Sequence, residues 1–200
     1  YTASKDICTV GGMAANDSGG ERNLEYGKTA RWVEELEVVL ADGNVYTLKN
    51  LQGNALTEKL VEPSFGGKAY RTLARVLREN RTLIERAKPA VSKNSSGYAL
   101  WDIGDGETSL NPARLMVGSQ GTMCIITKIK YRLAEPKRYA AMAVLFMNDL
   151  QILGRAIPLM RRHGPTSIES YDDKTFALAA KYFPEFALQM KTNIISLGVS

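Results

Sequence analysis

Cys8-Thr9-Val10-Gly11-Gly12-Met13-Ala14-Ala15-Asn16-Asp17-Ser18-Gly19-Gly20 and Val117-Gly118-Ser119-Gln120-Gly121-Thr122-Met123-Cys124-Ile125-Ile126-Thr127 are the two stretches that decide how this chain reads. Each sets glycines beside small hydroxyl residues, so backbone N–H groups reach outward with no side chain in the way. An anionic group such as a pyrophosphate suits a surface of that kind. One glycine-rich stretch is a weak signal; two, separated by about a hundred residues of ordinary globular sequence, form a constellation.

The rest of the chain bounds the answer. Two hundred residues with 44% hydrophobic and 24% charged content can bury a core and hold one or two domains. The net charge is +5, but the basic residues are scattered, as at Lys128, Lys130, Arg132, Lys137 and Arg138. Such scatter reads as solvated surface, with an anion-steering field as the functional alternative. No interleaved aromatic and basic platform for nucleic acid is present. Two cysteines, Cys8 and Cys124, make no disulfide framework, which fits a reducing compartment. A single histidine, His163, excludes a multi-histidine metal centre within these residues, and its place beside Arg161, Arg162 and Gly164 reads as a helix end. No apolar run of transmembrane length and no signal peptide is visible. The chain starts without methionine and already close to a motif, so we expect a piece of a longer protein.

Working outward, residues 14–17 read as a short helical turn. Residues 34–40 alternate as a strand, and Asp42-Gly43 before Val45-Tyr46-Thr47-Leu48 signals a hairpin. Residues 52–67 have no period and read as a connection. Residues 70–87 form the clearest amphipathic helix, stopped by Pro89. Residues 92–111 are polar and glycine-rich, with Tyr98 and Trp101 as expected apolar anchors. Residues 123–133 alternate as a strand with Ile125, Thr127, Ile129, Tyr131 and Leu133 on one face. Beyond Pro136 the pattern predicts strands over 139–146, 167–171 and 193–199. Between them it predicts a helix from Asn148 to about Arg162, kinked at Pro158, and a second helix over 172–182.

These motifs resemble the vanillyl-alcohol-oxidase/PCMH family of FAD-linked oxidoreductases over most of residues 1–136. The first glycine-rich stretch is similar to that family's second flavin-contacting segment. Leu24-Glu25-Tyr26-Gly27-Lys28-Thr29 and Leu36-Glu37-Val38-Val39-Leu40-Ala41-Asp42-Gly43 follow it at the family's spacing. Lys93-Asn94-Ser95-Ser96-Gly97-Tyr98-Ala99-Leu100 resembles an Asn-x-x-Gly-Tyr-x-Leu stretch. Gly118–Thr127 resembles a Gly-Ser-Glu-Gly-Thr-Leu-Gly-Ile-Ile-Thr segment. Within the family the likeness is strongest to the glycolate, D-lactate and D-2-hydroxyglutarate dehydrogenase types.

The resemblance implies an α+β fold. Residues 1–136 would be the second half of a PCMH-type FAD-binding domain, a mixed or antiparallel sheet with flanking helices. Residues 137–200 would begin an α+β substrate, or cap, domain. It implies FAD contacts from Thr9, Val10, Gly11, Gly12, Ala15, Asn16, Asp17, Gln120, Gly121, Thr122, Ile125 and Ile126, and a substrate contact from Tyr98. Ile125 and Ile126 cannot both turn their side chains to the cofactor if the strand is regular. Gln120 stands where many members carry Glu, and Cys124 where Gly is usual. The resemblance places a further pyrophosphate loop upstream of Tyr1 and the catalytic histidines downstream of Ser200, so no catalytic residue and no metal ligand is assigned within the chain.

The implied reaction is oxidation of a small 2-hydroxyacid by hydride transfer to flavin. Electrons would pass on to a quinone, cytochrome or electron-transfer protein. An iron–sulfur cluster or divalent metal would belong to other parts of the full-length protein. The implied location is the cytoplasm, or the inner membrane as a peripheral protein. Two alternatives stay open: the same fold acting on a sugar-alcohol, cell-wall-precursor or ether-lipid substrate, and a non-catalytic basic module binding acidic partners.

Overall fold

The computed structural model describes residues 2–91, 93–135, 137–147, 149–183 and 185. The chain divides into two compact units, Tyr1–Thr166 and Ser167–Ser200. In order, the first unit contains α1 (Val10–Ala15), α2 (Asn23–Tyr26), a 3-10 turn (Thr29–Arg31), β1 (Val33–Val39), β2 (Val45–Lys49), β3 (Leu51–Gln52), α3 (Gly53–Val61), α4 (Phe65–Glu79) and α5 (Arg81–Ala87). A second 3-10 turn (Leu100–Asp102), β4 (Ser109–Leu110), α6 (Pro112–Met116), β5 (Ile125–Tyr131) and α7 (Gln151–Arg161) complete it. The second unit contains α8 (Asp173–Tyr182).

The mixture of helices with an antiparallel sheet makes the fold α+β. Its centre is the three-stranded sheet β2-β1-β5, with a small β3-β4 ladder beside it. The alternation in β1 is what fixes it: Leu36 and Val38 are fully buried, while Glu37 sits between them and Glu35 just before. β1 and β2 form the hairpin that the sequence predicts, with Val39 opposite Val45 and Glu35 opposite Lys49. Gly43 closes the turn by donating its N–H to Leu40 O at φ 78°, a conformation that glycine adopts without a Cβ clash. Leu48, Leu56, Tyr70, Ala74, Leu77, Ile103, Leu110, Ala113 and Leu115 complete the core around the two central β1 residues.

Several expectations fail for identifiable reasons. Residues 52–67 are not a bare connection, since they hold α3 and the start of α4. α3 opens on Gly53-Asn54, poor helix formers, and buries only Leu56, so its periodic signal is faint. The helix predicted over 70–87 is two helices. α4 starts earlier, where the Ser64 hydroxyl caps the Gly67 N–H, and breaks at Asn80, from which α5 restarts.

In β5 the strand is present and its predicted face holds at Ile129 and Tyr131, but not at Ile125, Thr127 and Leu133, which are exposed. Val38 pairs with Ile126 while Glu37 pairs with Lys128, so Thr127 is an extra residue in a bulge. The bulge shifts the phase. Ile126 and Ile129 both pack on the core, and Ile125 is left 68% exposed. Trp101 is only half-buried and Tyr98 is exposed. The apolar anchors of that polar stretch are instead Ile103 and Leu110, both fully buried.

Strands are not formed over 139–146 or 167–171, although both are β-rich in composition. No described strand pairs with either, and a strand with an unpaired backbone has little to hold it. The expected cap at Asn148 and the strand over 193–199 lie outside the described residues. α7 does carry Pro158, and the chain leaves it through Gly164 at φ 61°; α8 is capped by Asp172, whose carboxylate accepts the Thr175 N–H.

Candidate functional site

The two glycine-rich stretches lie side by side. Gly118 donates its N–H to Ala14 O at 3.0 Å, and Gln120 donates to Ala15 O at 2.9 Å. The first stretch reaches this position because Thr9 caps α1, its hydroxyl accepting the Gly12 N–H at 3.0 Å. The short helix thus begins at Val10 and takes in Gly11-Gly12, four residues earlier than the sequence predicts. The second stretch follows α6, which Asn111 caps and Pro112 opens, and its Ser119 is buried.

The junction is conformationally strained. Asp17 (φ 47°) and Gln120 (φ 52°) are the non-glycine residues at positive φ among those described, one in each stretch. A Cβ on Gly118 would stand 3.1 Å from Asp17 Cβ. Strain gathered at one seam, rather than dispersed, is the pattern of a binding site whose backbone is held in place by its surroundings.

The expected cofactor residues then separate by exposure. Thr9, Val10, Gly11, Gly12 and Asn16 are exposed on the first stretch, as are Gln120, Gly121, Thr122 and Ile125 on the second. Ala15 is half-buried at the seam. Ile126 turns its side chain toward the core, so it has only backbone to offer outward. A Cβ at Gly11 or Gly121 would meet nothing within 4 Å. Packing therefore does not demand glycine at Gly11, where φ is also ordinary, and its bare backbone faces open space. The exposed rim 9–12 and 120–122 carries no charge.

Asp17 is committed internally. Its carboxylate accepts the Ala30 N–H at 2.8 Å and pairs with Lys28 Nζ at 2.8 Å, with the two side chains only 17% and 15% exposed. A pair this enclosed costs more to break than a surface ion pair, because either partner alone leaves a poorly solvated charge. Lys28 also donates to Asn94 O and Ser95 Oγ. Tyr98 stays at the site, its hydroxyl 2.8 Å from Thr122 Oγ1. The Lys28 junction has no sequence signal, since its partners lie eleven, 66 and 67 positions away.

Two cavities adjoin the seam. One of about 270 Å³ is lined by Asn16, Asp17, Ser18, Lys28, Lys93 and Ser95 among others. A second of about 430 Å³ is lined by Asn94, Ser95, Gly97, Trp101 and Arg114 among others. Among the described residues, no group of three or more His, Cys, Asp or Glu side chains is placed to hold a metal, and no helix is long and apolar enough to cross a membrane. Both cysteines are free; Cys124 is buried, which pushes its thiol pKa up.

Residues 1–49 match the FAD binding domain model, which takes in the first glycine-rich stretch and the β1–β2 hairpin. The chain is similar to proteins of FAD-linked type. It is 30% identical over 192 residues to D-2-hydroxyglutarate dehydrogenase of Pseudomonas putida, covering 91% of this chain and 19% of that protein. It is 27% identical to D-lactate dehydrogenase of Archaeoglobus fulgidus over 88% of this chain and 28% of that protein. It is 28% identical to glycolate oxidase subunit GlcD of Bacillus subtilis over 90% of this chain and 28% of that protein. The chain spans about a fifth of the length of the D-2-hydroxyglutarate dehydrogenases it matches.

The residues present fit a flavin dinucleotide on structural grounds as well. The rim is uncharged, its glycines are open to solvent where packing does not require them, and apolar Val10 (60% exposed) and Ile125 (68% exposed) flank it. A large ligand with an apolar ring system and a phosphate linkage needs all three features.

Proposed function

We propose that this chain supplies part of the flavin-binding face of an FAD-dependent enzyme that oxidises a small 2-hydroxyacid. The observation that carries the proposal is the pairing of Gly118 and Gln120 with Ala14 and Ala15, which sets two open glycine-rich backbones side by side. Thr9, Val10, Gly11, Gly12, Ala15 and Asn16 would hold the cofactor from the first stretch. Gln120, Gly121, Thr122 and Ile125 would hold it from the second, with Ile126 contributing backbone. Asp17 acts from behind, fixing the turn, and Tyr98 stands where a substrate or the flavin rim would approach.

The chemistry that a bound FAD supplies is acceptance of a hydride from the substrate α-carbon. The chain's own contribution is binding and orientation: glycine backbone open to a ligand at Gly11 and Gly121, and an exposed apolar flank at Val10 and Ile125. The choice of a 2-hydroxyacid over another alcohol rests on the names of the relatives. The residues that handle the hydroxyl proton, and any metal or iron–sulfur centre, would lie in other parts of the full-length protein. Residues 1–136 would serve as the flavin-binding portion and residues 137–200 as the start of the substrate domain.

Substrate profiling of the full-length protein with D-2-hydroxyglutarate, D-lactate and glycolate, using an artificial electron acceptor, tests this. Flavin reduction by at least one of them is expected. A flavin reduced only by unrelated alcohols would reject the substrate class, and a protein that takes up no FAD would reject the reading altogether.

A further inference from the structure

Residues 93–98 run without regular secondary structure; Lys93 and Ser95 line the smaller cavity, and Asn94, Ser95 and Gly97 the larger. Asn94 and Ser96 bond to each other, and Leu100 donates to Tyr98 O, but these are local contacts. Among the described residues, the hydrogen bonds that tie this loop to distant chain are made at its two ends. Lys28 Nζ donates to Asn94 O at 2.8 Å and to Ser95 Oγ at 3.2 Å, and the Tyr98 hydroxyl bonds Thr122 Oγ1 at 2.8 Å.

A lysine ammonium has three donors and no acceptor. Lys28 spends all three on separate elements of the site: the Asp17 carboxylate, the Asn94 carbonyl and the Ser95 hydroxyl. Its side chain is 15% exposed, so these partners replace its water. Asp17 is in turn held by the Ala30 N–H and adjoins Gly118, and Thr122 donates its hydroxyl proton to Ser119 O. The contacts therefore close a circuit from the first glycine-rich stretch through Lys28 to the loop, and through Tyr98 to the second.

We infer that Lys28 is a positioning residue that, with Tyr98, straps residues 93–98 across the two glycine-rich stretches and so sets the affinity of the site for the dinucleotide. The inference rests on the flavin reading above. Lys28 does not touch the cofactor; it acts through Asp17, whose left-handed backbone shapes the first stretch, and through the strap, whose far end fixes Thr122. A lysine with three satisfied donors in a junction of this kind is not a solvated surface charge, and a neutral replacement would release the loop and leave the Asp17 carboxylate without its partner.

The test uses the full-length protein as wild type, Lys28→Met, Lys28→Arg and Tyr98→Phe. Tryptic cleavage after Lys93, followed by mass spectrometry, reports release of the strap, because a protease needs several residues free around the bond. Flavin fluorescence of the FAD-stripped protein reports cofactor affinity. Lys28→Met and Tyr98→Phe should each accelerate cleavage after Lys93 several-fold. Lys28→Met should raise the FAD Kd about tenfold or more, the size of a lost hydrogen bond to a charged group.

Lys28→Arg should recover part of both effects. Tyr98→Phe leaves the Asp17 pair intact, so it carries the test if Lys28→Met fails to fold. Unchanged cleavage after Lys93 in the folded variants would overturn the strap. Faster cleavage with wild-type FAD affinity would overturn its link to the cofactor. A wild-type protein that binds no FAD would instead reject the functional reading, and the cleavage rates would still decide the strap.

Discussion

Gly118 donates its N–H to Ala14 O at 3.0 Å while the space for its missing Cβ closes to 3.1 Å from Asp17 Cβ. The two stretches can lie this close only because one of them has no side chain at the point of contact. Gly118 is also at φ 84°, where a Cβ is strained whatever the space. Gly118→Ala should therefore destabilise the protein by about 1–3 kcal/mol. Thermal unfolding that is unchanged from wild type would show that the seam is looser than its geometry indicates.

Leu36 on β1 is fully buried, with Leu48 of β2 on one side and Ile129 of β5 on the other. Truncation leaves a cavity in the centre of the sheet, and Leu36→Ala should cost about 2–5 kcal/mol. Denaturant titration measures this directly. A loss well under 1 kcal/mol would mean that the sheet collapses around the gap or that the core lies elsewhere.

Asp105 sets the acid limit of one loop. Its carboxylate accepts from the Thr108 hydroxyl and from the Ser109, Glu107 and Thr108 N–H groups, which together hold its pKa well below the usual carboxylate range. A folded-state pKa lowered in this way adds stability that is present in full above about pH 4 and is lost as pH falls below it. Asp105→Asn should lower stability at neutral pH by about 1 kcal/mol, a modest figure because the site is partly solvated. It should also flatten the stability profile below pH 4. A variant with the wild-type acid limb would place the origin of that limb elsewhere.

The two thiols should differ in reactivity. Cys124 is buried and its pKa is raised by that burial, whereas Cys8 is half-buried near Thr2. Iodoacetamide should modify Cys8 in the native protein and reach Cys124 only after denaturation. Mass spectrometry of partially labelled protein reads the order, and native labelling at Cys124 would contradict the packing.

Much of the sheet was legible because each signal was local. The β1 alternation and the Asp42-Gly43 turn both occupy a few residues and point to the same hairpin. The phase of β5 was not legible, because the bulge at Thr127 is set by pairing with Glu37 and Val38, some ninety residues earlier. Thr127 itself bonds the Glu37 carbonyl and carboxylate, a contact with no signature in its own segment. The glycine-rich stretches were legible as a pair of motifs, but their side-by-side placement came only from the Gly118 and Gln120 hydrogen bonds. Lys28 was invisible for the same reason. A lysine in a polar turn reads as solvated until its three acceptors are seen around it. Residues 139–146 show the converse error, in which β-rich composition was read as a strand where no described partner strand exists.

If the backbone at Gly11 faces a flavin, the FAD affinity of full-length Gly11→Ala, measured beside its thermal stability, will show it. Gly11 lies in α1 with nothing within 4 Å of an added Cβ, so alanine should leave stability unchanged or raise it by up to about 1 kcal/mol. The same Cβ would intrude on a ligand lying against the backbone. The expected result is a folded, equally stable protein whose FAD Kd rises about tenfold or more, the effect of losing roughly 1.4 kcal/mol of binding. Wild-type FAD affinity in Gly11→Ala would contradict it and move the cofactor away from the first glycine-rich stretch.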